Sequence, residues 1–215
     1  MNFFSLGVMN YKECLDLQHK LNEEVASGNR MPCVLFVEHP PVYTLGKNAD
    51  SKNLLSVNSN SNIDIYHIDR GGDVTLHNPG QLVVYPIVNL ASLGVGPKRF
   101  VCKLQTIVIH VLSEYNIRAG TDGKYPGVWV GDKKICSVGI RVKNRVTLHG
   151  LALNVSNDIE MFSQIVPCGI RDRSICSMFT ETNSVPRITD VIESFTRFFV
   201  KNFGIKNISN GTGRT

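Results

Sequence analysis

The sequence predicts an α/β or α+β fold, a mixed β-sheet with flanking helices. Segments with helical periodicity alternate along the 215-residue chain with short apolar segments typical of strands. Most neighbouring strand segments are separated by short turns, which suit antiparallel pairing. With 42% hydrophobic and 19% charged residues, the chain has an ordinary globular composition. We therefore expect one domain over residues 1–215, with a frayed tail from about residue 207.

Three segments have the pattern of helices. The first is expected over residues 11–27, because Asn10 can cap it and apolar residues recur on one face. The second begins at Pro97, whose fixed φ angle suits a first helical position, and shows the most regular apolar stripe. The last is expected over residues 189–203.

The predicted strands are short runs rich in β-branched and aromatic residues. They are expected at residues 33–38, 63–68, 73–77, 81–88, 127–131, 134–142 and 146–155. The last three form a meander, with a tight turn expected at 143–144. The Ser/Asn-rich stretch 56–62 is expected to be a loop.

Composition and charge exclude several classes of protein. No apolar run approaches the roughly 18 residues of a membrane helix, and the N-terminus lacks the basic segment of a targeting peptide. These features predict a cytoplasmic protein without a membrane partner. The net charge of +5 is mild and not clustered, so we expect no nucleic-acid partner. The six cysteines show no metal-ligand spacing, so we expect reduced thiols and no metal.

The segment "RGGDVTLHNPGQ" (70–81) is the first candidate for chemistry. Its adjacent glycines, Gly71 and Gly72, would let the backbone approach a ligand closely. Arg70 supplies a fixed positive charge, and His77 adds a polar group. A hairpin turn with a solvated arginine would have the same pattern, so both interpretations stay open.

Two further candidates are a cysteine and a lysine. Cys168 follows Pro167 in "PCGIRD", where a turn would display its thiol, as either a nucleophile or an inert group. Lys134 lies where a turn meets a strand, as either a solvated side chain or the cation that lowers the pKa of a thiol. His39 and His149 stand alone, which is typical of core or capping histidines.

Five motifs, in order, cover residues from about 30 to 175. They are "EHPPVYTLGK" (38–47), "RGGDVTLHNPGQLVVYP" (70–86), "GVWVGDKKICSVGIRV" (127–142), "HGLALNV" (149–155) and "PCGI" (167–170). Together they resemble the octanoyltransferases of lipoate biosynthesis, the lipoyl(octanoyl) transferases. The resemblance implies the single-domain fold of lipoate and biotin protein ligases, with an acyl-binding pocket. One departure is Asn78, where the family usually has glycine; asparagine tolerates left-handed backbone angles but adds a side chain that would narrow the pocket.

The resemblance also implies a reaction and its residues. An octanoyl group leaves acyl carrier protein for the thiol of Cys168, assisted by Lys134, and then passes to a lysine of a lipoyl domain. The implied acceptors are 2-oxoacid dehydrogenase complexes and the glycine cleavage H protein, and neither ATP nor another cofactor is needed. We expect a monomer. The substrate pocket implied by the family pattern consists of Arg70, Gly71, Gly72, His77, Gly139, His149, Gly150 and, in addition, His39.

Two rival functions remain for this sequence. An ATP-dependent lipoate protein ligase of the same fold typically has a third glycine in its loop and H-D-x-G-N after it, whereas this chain has "RGGD" and "PGQ". A non-enzymatic acyl-binding protein would need neither Cys168 nor Lys134. Basic residues expected to steer acidic carrier proteins are Lys98, Arg99, Arg141, Lys143, Arg145, Arg171 and Arg173.

Overall fold

The computed structural model describes residues 1–55, 63–169 and 173–212, apart from the side chains of residue 168 and residues 210–212. The predicted loop at 56–62 lies outside the described residues. The α-helices of the described part are α1 (Tyr11–Ala26), α2 (Pro97–Glu114), α3 (Met178–Thr182) and α4 (Ile188–Phe203). The three predicted helices are thus confirmed, to within a residue at every bound that was predicted. None of the described helices is both long and apolar enough to cross a bilayer.

The strands form one large and one small sheet. They are β1 (Asn2–Val8), β2 (Cys33–Glu38), β3 (Val42–Leu45), β4 (Asp64–His67), β5 (Val74–His77), β6 (Gln81–Ile87), β7 (Val128–Val130), β8 (Lys133–Lys143), β9 (Val146–Asn154), β10 (Ser174–Ile175) and β11 (Ser209–Thr212). The large sheet has the order β10-β8-β9-β6-β2-β1-β11, with β7 on β8, and the small one β4-β3-β5. Parallel and antiparallel pairs occur in both sheets, so the predicted mixed sheet is confirmed.

Helices cover both faces of the large sheet. Along β2, Val34 and Phe36 pack with residues of α2 and α4, whereas Leu35 packs on the other face with α1. A strand that is buried on both faces has a continuous apolar sequence, and "CVLFV" has this pattern. The core therefore lies in two layers, one on each side of the sheet.

The small sheet forms a separate apolar cluster beside the large one. Tyr43 and Leu76 of its strands pack against Phe162 and Ile165, which lie in and after a 3-10 helix at Glu160–Gln164. This packing places the segment before β5 next to the segment before residue 168.

The hairpin between β8 and β9 closes through a two-residue turn, Asn144–Arg145. Both residues have positive φ angles, 53° and 66°, as a type I′ turn requires. The turn was predicted one residue earlier, at 143–144. The observed turn pairs Lys143 with Val146 and aligns Gly139 with Gly150.

Both chain termini differ from the expectation. Residues Asn2–Val8 form a strand that the sequence did not predict, and it pairs in parallel with β2. The tail expected to fray from residue 207 instead forms β11 over Ser209–Thr212, in parallel with β1. Parallel partners distant in the chain leave no turn signal in the sequence, which explains both differences.

The packing around Gly150 generates a stability prediction. A Cβ atom at Gly150 would overlap the Val84 carbonyl oxygen and lie 2.8 Å from Cδ of Pro86. We expect Gly150→Ala to lower the free energy of unfolding by roughly 3 kcal/mol, because the neighbouring backbone must move. Urea unfolding would measure this. Gly123→Ala, at an exposed position with open space around it, is the control; equal loss in both variants would contradict the prediction.

Candidate active site

A mostly apolar cavity of about 340 Å³ lies beside the β8–β9 hairpin. This volume is at the small end of ligand pockets, roughly 300–1,000 Å³. Apolar wall residues include Val83, Val101, Val138 and Leu151. The cavity also brings together most of the residues predicted for the site, which are Arg70, Gly71, Gly72, His77, Lys134, Gly139, His149 and Gly150.

Lys134 is buried at the wall of this cavity. Only 3% of the residue is exposed, and its Nζ atom lies 5.1 Å from the centre of the Trp129 ring. The adjacent Lys133 points outward, where its ammonium group pairs with Glu181 at 2.5 Å. Strand alternation thus separates the two lysines, and the solvated interpretation of Lys134 is wrong.

The backbone of Cys168 lies in a 3-10 turn over Pro167–Gly169 that is anchored at the cavity. The Val166 N–H before the turn donates to the carbonyl oxygen of Asn53 at 2.7 Å. The side-chain amide of Asn53 in turn donates to Oδ2 of Asp73 at 2.6 Å, and Asp73 lines the cavity. The side chain of Cys168 lies outside the described part of the structure.

The backbone conformation and surroundings of residue 169 explain why a glycine follows Cys168. Its φ angle of +70° is left-handed, and a Cβ atom there would lie 2.6 Å from Oδ2 of Asp73. A glycine therefore lets the turn approach the Asp73 carboxylate closely. Further along the chain, β10 pairs with Lys133 and Lys134, and the Cys176 N–H donates to the Lys134 carbonyl oxygen at 3.0 Å.

The Arg70–Asp73 segment lies directly against β8. The Gly71 N–H donates to the Ile140 carbonyl oxygen at 3.4 Å, and a Cβ atom at Gly139 would lie 2.9 Å from the Gly71 carbonyl oxygen. The guanidinium group of Arg70 donates to the carbonyl oxygen of Thr44 at 2.8 Å, so it also braces the segment against the small sheet. The fully solvated interpretation of Arg70 is therefore wrong.

Four aromatic side chains form a buried polar cluster at the cavity. Tyr11, His77 and Tyr85 line it, whereas His39 lies behind Tyr85 and does not line it. Nδ1 of His39 contacts the Met9 carbonyl oxygen at 2.7 Å and must be protonated, so Nε2 accepts from the Tyr85 hydroxyl at 2.9 Å. Burial lowers the pKa of His39 to about 4 and that of His77 to about 3, so both are neutral at pH 7.

His149 reaches the cavity from a strained backbone position. Its φ angle is 58° within β9, and Nε2 contacts Oδ1 of the half-exposed Asp69 at 2.9 Å. Because a carboxylate only accepts, Nε2 carries the proton and leaves Nδ1 as an acceptor. Burial lowers the pKa of His149, although Asp69 opposes this shift.

Asn78 does not narrow the cavity. Its side chain is buried, donates to the Asp158 carbonyl oxygen at 2.8 Å and accepts from Asn157 at 2.9 Å. The left-handed residue of this turn is Gly80, with a φ angle of 86°, and not Asn78. The departure from the family glycine is thus absorbed by contacts outside the cavity wall.

Comparison with known proteins gives the family. Residues 10–200 match the lipoyl protein ligase A/B catalytic domain. The chain is 43% identical to the octanoyltransferase of Dictyoglomus thermophilum over 199 residues, which cover 91% of this chain and 84% of that protein. It is 39% identical to the mitochondrial octanoyltransferase LIP2 of Arabidopsis thaliana, over 89% of this chain and 83% of that protein.

The chain belongs to the octanoyltransferase family. Membership makes it an acyltransferase of lipoate biosynthesis. The fold agrees: a bipartite lipoate protein ligase from Thermoplasma acidophilum superposes with a TM-score of 0.75 at 16% identity, over 99% of this chain and 87% of that one. The biotin protein ligase of Aquifex aeolicus gives a TM-score of 0.59 at 15% identity, over 94% of this chain and 70% of that one.

Several residues at this octanoyltransferase site were missed by the sequence analysis. Asp73 lies inside the quoted "RGGD" motif, and its position after the glycines was a usable signal. Tyr11, Tyr85 and Asn53 gave none, because each lies in a different segment and meets the site only through the fold.

The lowered pKa values of the buried histidines predict how the free energy of unfolding depends on pH. Between pH about 6.5 and about 4 the unfolded chain protonates His39 but the folded octanoyltransferase does not, so stability falls as pH falls. Urea unfolding at pH 7 and pH 5 would measure the loss. We expect the His39→Gln variant to lose about 2 kcal/mol less free energy of unfolding than the wild type between pH 7 and pH 5. His67→Gln, at an exposed position, should leave the loss unchanged; equal pH dependence in all three proteins would contradict the prediction.

Proposed function

We propose that this octanoyltransferase moves an octanoyl group from acyl carrier protein to a lipoyl-domain lysine through a thioester on Cys168. The observation that carries the proposal is the attachment of the chain on both sides of Cys168. Before it, the Val166 N–H donates to the Asn53 carbonyl oxygen. Directly after it, the Gly169 backbone lies close to the carboxylate of Asp73, a residue of the cavity wall. Further along the chain, β10 pairs with the strand segment that contains Lys134.

The other cysteines support Cys168 as the nucleophile. Burial raises the pKa to about 12 for each of four thiols, which are those of Cys14, Cys33, Cys136 and Cys176. These thiols are poor nucleophiles at neutral pH. Cys102 is exposed on α2 and does not line the cavity. Cys168 is the remaining cysteine of the sequence, and it directly precedes Gly169, whose backbone lies close to the Asp73 carboxylate.

The first half-reaction is a thiol exchange that needs no ATP. The Lys134 ammonium group favours the Cys168 thiolate, whose sulfur attacks the carbonyl carbon of the carrier thioester. A carbon–sulfur bond to Cys168 forms and the carbon–sulfur bond to the carrier breaks. The carrier thiolate takes a proton from the Lys134 ammonium group and leaves as a thiol. The octanoyl chain lies along the apolar wall formed by Val83, Val138 and Leu151.

The second half-reaction forms an amide. The neutral amine of the acceptor lysine attacks the acyl-enzyme carbonyl, and the Cys168 thiolate leaves. The amine proton passes to Lys134 in its neutral form. The first half-reaction leaves Lys134 neutral, so its Nζ atom can accept this proton.

Surface charge gives less support than the sequence suggested. Arg141 pairs with Asp69 at 2.8 Å, and Lys143 pairs with Glu23 at 3.4 Å. Arg173 pairs with Asp122 at 3.5 Å. Each pair offsets a positive charge that could steer an acidic carrier protein. Arg171 lies outside the described residues. We therefore propose that the cavity, rather than surface charge, recognises the acyl substrate.

Intact-mass spectrometry tests the covalent step. The protein is incubated with octanoyl-acyl carrier protein in the absence of ATP. We expect a single octanoyl adduct on the wild type that a lipoyl domain removes, no adduct on Cys168→Ser, and a rate at least ~100-fold lower for Lys134→Ala.

Two control variants test whether the losses are specific to Cys168 and Lys134. Cys102→Ser and Lys133→Ala change an exposed thiol and the outward-pointing lysine, and both should be acylated at the wild-type rate. Transfer only from free fatty acid with ATP would replace the proposal with a ligase. Tight acyl binding without transfer to a lipoyl domain would replace it with a binding protein.

The cavity also predicts chain-length preference. Each methylene group buried on the wall contributes roughly 0.8 kcal/mol, or about fourfold in kcat/KM. A butanoyl donor should therefore react at least ~100-fold more slowly than an octanoyl donor. Hexanoyl and decanoyl donors should differ from octanoyl by roughly tenfold. Competition between carrier-bound donors would measure these ratios, and a preference for acetyl would contradict the prediction.

A further inference from the structure

Lys134 occupies space that is open only because residue 127 is a glycine. Gly127 has a φ angle of 135°, and a Cβ atom there would lie 2.5 Å from Cε of Lys134 and 2.6 Å from the Cys136 carbonyl oxygen. The lysine side chain therefore passes directly over the backbone of residue 127. Any side chain at this position would displace it.

A buried glutamine fixes that piece of backbone. Gln105 lies on α2 with 7% of its surface exposed, and its Nε2 donates to the Gly127 carbonyl oxygen at 2.9 Å. On the buried face of α2 the other buried side chains are apolar. A buried amide is costly unless it is hydrogen-bonded, so Gln105 is suited to this one carbonyl group.

The far side of the lysine is also held in place. The Trp129 ring lies 5.1 Å from Nζ, and Trp129 is fixed by two backbone hydrogen bonds with Gly120, at 2.8 and 2.9 Å. The β7–β8 register shifts between Val128 and Trp129, and such an irregularity re-aims the side chains next to it. Lys134 thus lies between the Gly127 backbone and the Trp129 ring.

We propose that Gln105 and Gly127 are positioning residues that aim the Lys134 ammonium group into the cavity. Gln105 holds the Gly127 peptide, and this peptide leaves a single path for the lysine side chain. The inference rests on the proposed role of Lys134 and adds the residues that set its direction. Neither residue is among those that line the cavity, whereas Lys134 is, so their effect passes through Lys134.

The test measures the alkylation rate of Cys168 by iodoacetamide against pH, with the other thiols monitored by peptide mapping. In Lys134→Ala the midpoint of this profile should rise by roughly 1–3 pH units, because a nearby cation favours the thiolate. Gln105→Met keeps the shape but loses the hydrogen bond, and Gly127→Ala obstructs the lysine. Both should raise the midpoint by about half of the Lys134→Ala shift, and lower kcat for octanoyl transfer at least ~10-fold.

Controls distinguish positioning from instability. Thr106→Ala changes an exposed neighbour on α2 and should leave the midpoint unchanged. A wild-type midpoint in Gln105→Met and Gly127→Ala would overturn the inference, even with a lower melting temperature. A wild-type midpoint in Lys134→Ala itself would instead overturn the proposed role of that lysine. If Gln105→Met does not fold, Gln105→Asn, with an amide one methylene shorter, gives the same comparison.

Discussion

The register of the β8–β9 hairpin determines which side chains the cavity contains. The Asn144–Arg145 turn sets that register and aligns Gly139 with Gly150. The space beside both glycines is taken by backbone carbonyl groups, those of Gly71 and Val84. A shift by one residue would place side chains in this space and turn Lys134 to the opposite face of the strand. The cavity and its lysine therefore depend on the same two-residue turn.

The proposed function makes opposite demands on one cavity, which must accept an acyl chain and also hold an ammonium group. The chain favours a wall with little charge, and His77 on this wall stays neutral because burial lowers its pKa to about 3. The Tyr85 hydroxyl on the wall donates a hydrogen bond to Nε2 of His39, which lies behind it. Two side chains bring positive charge to the wall: Lys134 beside the Trp129 ring, and Arg70, whose guanidinium group donates to the Thr44 carbonyl oxygen. Under the proposed function, neutral polar groups and localised charges together allow one small cavity to bind the chain and assist its transfer.

Much of the fold follows from local patterns, because long periodic segments specify their own burial. The apolar stripe of α2 and the continuous apolar run of β2 are examples. The short parallel strand β10 left no such signal, since its partner is distant in the chain. At the site, the motif residues were predictable by resemblance, whereas Gln105 was not. Its role depends on a hydrogen bond to a residue 22 positions away, which no helical pattern reveals.

The two proposed catalytic side chains are held by different kinds of structure, and the chemistry explains why. Lys134 lies on a long strand inside the large sheet, where its backbone cannot adjust. Cys168 lies on a 3-10 turn tied to Asn53 and Asp73 by a few contacts. In the proposed mechanism the base stays aligned through both half-reactions, which suits a strand inside the sheet. The proposed nucleophile would meet a carrier thioester first and a lysine amine second, which suits a turn held beside Asp73 of the cavity wall.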